Sequence, residues 1–276
     1  MLKMVRFDNH EWEFVYPPIY GKVMDEFNSG CDHLDEGNLL EAARIFKSVL
    51  AQMPDHIDAI HHLAMISLDH GFTDQARELW EQSVRIGRKA FSPDFQYEQD
   101  HLEWVCLDNR PFLRCLHGLA LAKYNNGEVK DALQLFQELL SLNPNDNQGV
   151  RAMAVEALCK LGKYEEIIKI TDKYRNDIMP ETLYGRALAL FKLKQRRRAT
   201  AALKKAIDYL PLVGEELLKK KHKFPKTVRP DVVTVGGDDE AYLYWQTSGQ
   251  FLEKDPEAYE WLRRIAAETE ISEAWR

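Results

Sequence analysis

Three glycines in this chain are each followed by alanine at +5 and by an aromatic residue at +9: Gly37/Ala42/Phe46, Gly71/Ala76/Trp80 and Gly127/Ala132/Phe136. Gly37 and Gly71 lie 34 residues apart, the period of a tetratricopeptide repeat. Each position has a physical reason. Glycine suits the short turn between two antiparallel helices, where a positive φ is needed. The small alanine lets the second helix approach the first. The aromatic four residues later shares the alanine's face and fills the space between helices. Pro54 and Pro144 each follow their glycine by 17 and cannot continue a helix.

Two further units are degenerate. After Gly162 the small and aromatic places hold Ile167 and Thr171. The fifth unit keeps Ala187, Ala199, Leu203, Ala206 and Pro211, with Lys194 in the glycine place. These spacings predict helix pairs near 22–52, 57–87, 112–142, 148–174 and 181–209. Ala76 to Ala132 is 56 residues, so extra material lies near 88–110, where Ser92-Pro93 suggests a turn. The expected fold is all-α: a tetratricopeptide superhelix of about five helix pairs, with that insertion and a helical C-terminal cap.

The ends lack the repeat. Alternation in Trp12-Glu13-Phe14-Val15-Tyr16 favours an extended segment over 1–20. The array is expected over 21–211, and 212–276 reads as a basic linker with a cap of two helical runs. Asp238 or Asp239 can cap the first run. Asp255, with Pro256 at the first helical position, opens the second.

The run from Arg110 to Arg151 carries three words that a generic repeat does not need: Arg110-Pro111-Phe112-Leu113-Arg114, His117-Gly118-Leu119-Ala120 and Asn143-Pro144-Asn145-Asp146-Asn147-Gln148-Gly149. With YLPLVGEELL and GGDDEAYLYW further on, it resembles the soluble tetratricopeptide-like part of the suppressor-of-tumorigenicity family and its bacterial and archaeal relatives. The resemblance spans about 110–265 and implies a repeat scaffold without established chemistry. Animal members look membrane-anchored, and no apolar run here approaches the ~20 residues of a membrane span.

The first helix of each pair lines the concave groove of such a superhelix. That places Arg110, Arg114, His117, Tyr124, Asn147, Gln148, Arg151 and Tyr184 in a candidate peptide-binding groove. Arginine grips a carboxylate with two hydrogen bonds, so a protein or peptide partner with acidic character is expected. The alternative is that these residues bond neighbouring helix ends. Phe27 and Cys31 stand where a C-terminal carboxylate clamp would need Lys and Asn, which argues against that clamp. Asp146 or Asn147 also reads as a helix cap.

Charge is uneven within a net of −7. Residues 1–110 hold 10 basic and 20 acidic side chains, whereas 192–229 hold 13 and 3. Arg196, Arg197, Arg198, Lys219, Lys220 and Lys221 form an alternative surface for an anionic partner or for self-assembly. Nucleic acid is disfavoured, because no stacking aromatics interleave 192–209. The other reading is a solvated face that attracts acidic ends of the same chain.

No nucleophile, P-loop or dinucleotide motif is present, so no enzyme and no cofactor is expected. His56, Asp58, His61 and His62 cluster without a third converging ligand, and no metal site is expected. Cys31, Cys106, Cys115 and Cys159 suggest neither a disulfide framework nor zinc, and the start lacks a secretory pattern. A reducing cytoplasm is the expected location.

Overall fold

A computed structural model describes residues 1–227, 229 and 232–269. The chain forms two compact units that divide between Val150 and Arg151.

The first unit opens with an antiparallel hairpin, β1 (Lys3–Asp8) and β2 (Glu11–Val15). Three helix pairs follow: α1 (Ile19–Asp35) with α2 (Leu39–Gln52), α3 (Ile57–Asp69) with α4 (Thr73–Lys89), and α5 (Arg110–Asn125) with α6 (Val129–Leu142). From Arg151 on, the second unit holds α7 (Val150–Leu161, its first residue in the first unit) with α8 (Tyr164–Lys173) and α9 (Pro180–Lys192) with α10 (Arg196–Tyr209). It continues through α11 (Pro211–Leu218), α12 (Asp238–Tyr244), a π-turn over Trp245–Gly249, α13 (Gln250–Glu253) and α14 (Pro256–Glu268). The five pairs are those expected from the sequence.

The turns work as the spacing requires. Gly37, Gly71, Gly127 and Gly162 have φ of +78°, +79°, +83° and +67°, and Lys194 adopts +60° in the degenerate fifth unit. Ala42, Ala76, Ala132 and Ala199 are fully buried at the helix contacts. The aromatic of each unit then needs room. A Cβ on Gly30 of α1 would sit 2.7 Å from the Phe46 ring, and one on Gly118 of α5 would sit 2.4 Å from the Trp80 indole. Glycine on the facing helix therefore admits the ring. Phe136 is fully buried, with its centroid 6.0 Å from that of Tyr124.

The hairpin and the insertion complete each other. Trp12 and Phe14 share one buried face of β2, as strand alternation dictates. Trp12 packs edge-on against Phe95 at 5.6 Å, and Phe14 lies 6.1 Å from Phe91 and 5.3 Å from Phe112. The Trp12 N–H donates to the His101 carbonyl at 3.0 Å, and the His101 N–H donates to the His10 carbonyl at 2.7 Å. Buried Asn109 accepts from the Phe14 N–H at 3.1 Å and donates to the Trp12 carbonyl at 2.9 Å. The insertion is thus turns and one short 3-10 turn at Leu107–Asn109, not an α-helix.

In the second unit the C-terminal helices close the core of the α9–α10 pair. Trp261 of α14 stacks on Phe191 at 4.4 Å, and Leu203, Ile207, Val213, Leu217 and Leu262 fill the space beneath. Asp255 caps α14, accepting from the Glu257 and Ala258 N–H groups at 3.2 Å. Neither Asp238 nor Asp239 caps α12. Gly237 takes that place, and Asp239 reaches back to the Thr234 N–H at 2.9 Å instead.

Phe136→Ala should cost about 3–5 kcal/mol, because a buried ring leaves a cavity that stacked helices cannot collapse. Denaturant unfolding measures it. A loss below about 1 kcal/mol would mean that Phe136 does not fill the core.

Candidate partner-binding site

In α3, Asp58, His61, Met65 and Leu68 recur at helical spacing and share one face. In α5, Arg114, His117, Leu121 and Tyr124 do the same. The N-terminal half of this face is polar, and its charged groups are paired within the chain. Arg114 Nη2 donates to both oxygens of Asp58, at 2.8 and 2.6 Å. The Asp58 side chain is only 8% exposed, so the guanidinium neutralises a charge withdrawn from water. Trp80 Nε1–H donates to His61 Nδ1 at 3.1 Å, and burial pushes the His61 pKa down to about 3. Burial lowers the pKa of His117 too.

The C-terminal half is apolar and open. Met65 and Leu68 are 38% and 42% exposed, and Phe72 in the following turn is 60% exposed. Met65 and Leu68 wall a cavity of about 300 Å³ together with Trp80, Gly118 and Leu121. Asp74, Arg77, Asn125 and Asn126 supply its polar lining. Gly118 is essential to this shape, since it lets the indole lie against α5. An apolar pocket with a few polar groups suits a bulky side chain rather than a charge.

The residues expected to line one groove divide between the two units. In the first, Arg110 is held by the insertion: its Nε donates to the Trp104 carbonyl at 2.9 Å, and the guanidinium lies 5.2 Å from the Trp104 ring centroid. Arg114 is committed to Asp58. His117 Nδ1 and the Leu113 carbonyl each lie 3.4 Å from Gln148 Nε2. Tyr124 packs on Phe136. Asn147 is exposed in the turn after α6, where Asp146 does the capping by accepting from the Val150 N–H at 2.7 Å.

In the second unit, Arg151 grips Asp177 with two bonds, Nε–Oδ2 at 2.8 Å and Nη2–Oδ1 at 2.9 Å. Tyr184 corrects the expectation: it is 2% exposed, donates to the Leu210 carbonyl at 2.9 Å and belongs to the core. The two arginines expected to hold a partner's acid therefore hold the chain's own aspartates.

The basic segment is also partly spoken for. Lys192 pairs with Asp255 and Arg196 with Glu257, while Lys204 lies 3.1 Å from Glu268. Lys219 pairs with Glu216 at 2.5 Å. Arg197, Arg198, Lys220 and Lys221 remain exposed. The histidine cluster serves the fold. His56 caps α3 through the Ala59 N–H at 3.1 Å and stacks on Phe27, and His62 Nδ1 lies 2.7 Å from the Asp58 carbonyl.

Sequence reasoning missed Met65, Leu68 and Leu121. Their signal was present, because they continue the spacing of Asp58 and His61 and of Arg114 and His117 along the same helix faces.

The family model for Tcf25, described as transcriptional repressor TCF25, matches residues 12–273. No curated protein matches the chain. The fold is similar to that of YrrB, described as a TPR protein with an unusual peptide-binding site: TM-score 0.50 and 17% identity, over 67% of this chain and 85% of YrrB. It is similar also to MamA, with TM-score 0.51 and 16% identity, over 74% of this chain and 98% of MamA. The likeness to the suppressor-of-tumorigenicity family thus holds for the tetratricopeptide fold, while the family matched is the Tcf25 one. Among the described residues no helix is long and apolar enough to cross a membrane.

A double-mutant cycle on Asp58→Asn and Arg114→Met should give a coupling of about 0.5–3 kcal/mol. Additive losses would mean that the pair is not formed. The His61 ring resonances should stay flat as pH crosses about 6.5. Its folded pKa lies below the unfolded one, so its share of stability is present above pH 6.5 and lost as pH falls toward 3. A midpoint near 6.5 would show His61 to be solvated.

Proposed function

From a chain that belongs to the Tcf25 family and is built of tetratricopeptide helix pairs, we propose a non-enzymatic scaffold that binds a partner protein through an extended peptide on the α3–α5 face. The observation that carries this is the open apolar cavity beside Met65 and Leu68, with Trp80 as its wall. A partner's bulky apolar residue buried there contributes roughly 1.5–3 kcal/mol. Asn125 and Asn126, both exposed, present amides able to bond a peptide backbone on both its donors and its acceptors.

The arrangement favours an apolar anchor over an acidic one. Arg114 and Arg151 already hold Asp58 and Asp177, so a partner carboxylate would have to displace a buried aspartate. That YrrB is described with a peptide-binding site supports the reading by analogy of fold. The family's description as a transcriptional repressor suits a protein that acts by holding others. Four free cysteines, Cys115 and Cys159 among them buried, fit a reducing compartment such as the cytoplasm.

Random peptides selected on the full chain should carry a bulky apolar residue. Leu68→Glu should weaken them by about tenfold or more. Lys47→Glu, on an exposed part of α2, should leave them unchanged. Binding that survives Leu68→Glu in a folded protein would contradict this site.

A further inference from the structure

The basic run from Lys192 onward sorts itself into two groups. Lys192 at the end of α9 pairs with Asp255, the cap of α14, and Arg196 and Lys204 pair with Glu257 and Glu268, so that α9 and α10 are fastened to the C-terminal helix. Arg198 and Lys205 do not. Arg198 Nη1 donates to the neutral Gln195 amide oxygen at 2.5 Å, and Lys205 Nζ lies 5.6 Å from the Tyr209 ring centroid. Among the described residues neither forms an ion pair. One heptad apart on α10, they point to the same side of the helix.

They line a cleft of about 480 Å³ formed by α8, α9, α10 and the turn after α8. Arg175 and Arg186 line it as well, so four cations surround one cavity. Two carboxylates share the lining, Asp172 and Asp177. Each is engaged: Asp172 lies 2.8 Å from Arg186 Nη2, and Asp177 is held by Arg151. Arg186 is further fixed by donating from Nη1 to Thr171 Oγ1 at 2.7 Å. Leu183 and Ala202 give the cleft an apolar part.

We propose that this cleft is a binding site for a phosphate dianion, free or carried on a side chain as a monoester, gripped by Arg198, Lys205, Arg175 and the preset Arg186. Guanidinium forks match the tetrahedral oxygens of such a group, and an arginine already held in place loses little freedom on binding. Arg186 offsets Asp172 and Arg151 offsets Asp177, so Arg175, Arg198 and Lys205 leave an excess of positive charge that a dianion reduces. A nucleic-acid strand is the weaker fit, because its charges are spaced along a track whereas these four converge on one cavity. The site belongs to the second unit and does not rest on the peptide reading above.

The test titrates the full chain with capped O-phosphoserine, capped serine, inorganic phosphate and a single-stranded oligonucleotide, by calorimetry and by NMR of arginine Nε–H groups. Capped phosphoserine should bind saturably and shift Arg186 and Arg198, and capped serine should not. Arg198→Ala/Lys205→Ala should weaken binding by about tenfold or more. Arg197→Ala, an exposed neighbour outside the cleft, should leave it unchanged. Tighter binding of capped phosphoserine than of inorganic phosphate assigns the site to a phosphorylated side chain. Equal binding assigns it to the free anion, and both support the site. Absence of saturable binding, or equal loss in Arg197→Ala, overturns the proposal. So does oligonucleotide binding that is tighter than phosphoserine binding and weakened by Arg197→Ala.

Discussion

An aromatic ring seated against a glycine on the neighbouring helix is the contact on which the first unit depends. Phe46 against Gly30 and Trp80 against Gly118 set how near one helix comes to the next. A third such contact, Phe112 against Gly87, brings α5 up to α4, and a Cβ on Gly87 would sit 2.2 Å from the ring. Interiors packed to crystal density transmit such a change in spacing rather than absorb it. The turns only reverse the chain. The rings determine where each helix face ends up.

Trp80 joins this packing to function. One side of the indole fills the contact with Gly118, its N–H holds His61, and the ring also walls the apolar cavity. The α3–α5 face therefore has two halves of different character. Toward the helix N-termini, Arg114 is bonded to Asp58 and His61 to the Trp80 indole. Toward the C-termini, Met65, Leu68 and Leu121 surround open space. A partner meeting the polar half must break bonds that already exist, whereas one meeting the apolar half removes mainly hydrocarbon from water.

Much of the fold was legible because its signals are local. The glycine, alanine and aromatic spacing lies within one helix pair, and even Lys194, standing in the glycine place, adopts the positive φ that the register requires. The hairpin's association with the insertion was not legible. Trp12 meets Phe95 and Asn109 across more than eighty residues of chain, and no periodicity encodes that pairing. The same reason explains the site. The partners of Arg114 and Arg151 lie 56 and 26 residues away in sequence, so arginines that look available in a helix pattern are internal ties in the folded chain. Tyr184 shows the converse error, where its place on the first helix of a pair suggested a groove and the ring proved to be core. The basic segment gave only its charge. Which cations face α14 and which face the cleft depends on helix packing.

The most direct test of the central claim is methyl NMR of the full chain titrated with a selected peptide. Shifts should centre on the methyl groups of Met65, Leu68 and Leu121, with the Trp80 indole N–H moving alongside them. Shifts that avoid these groups and gather on another face would contradict it.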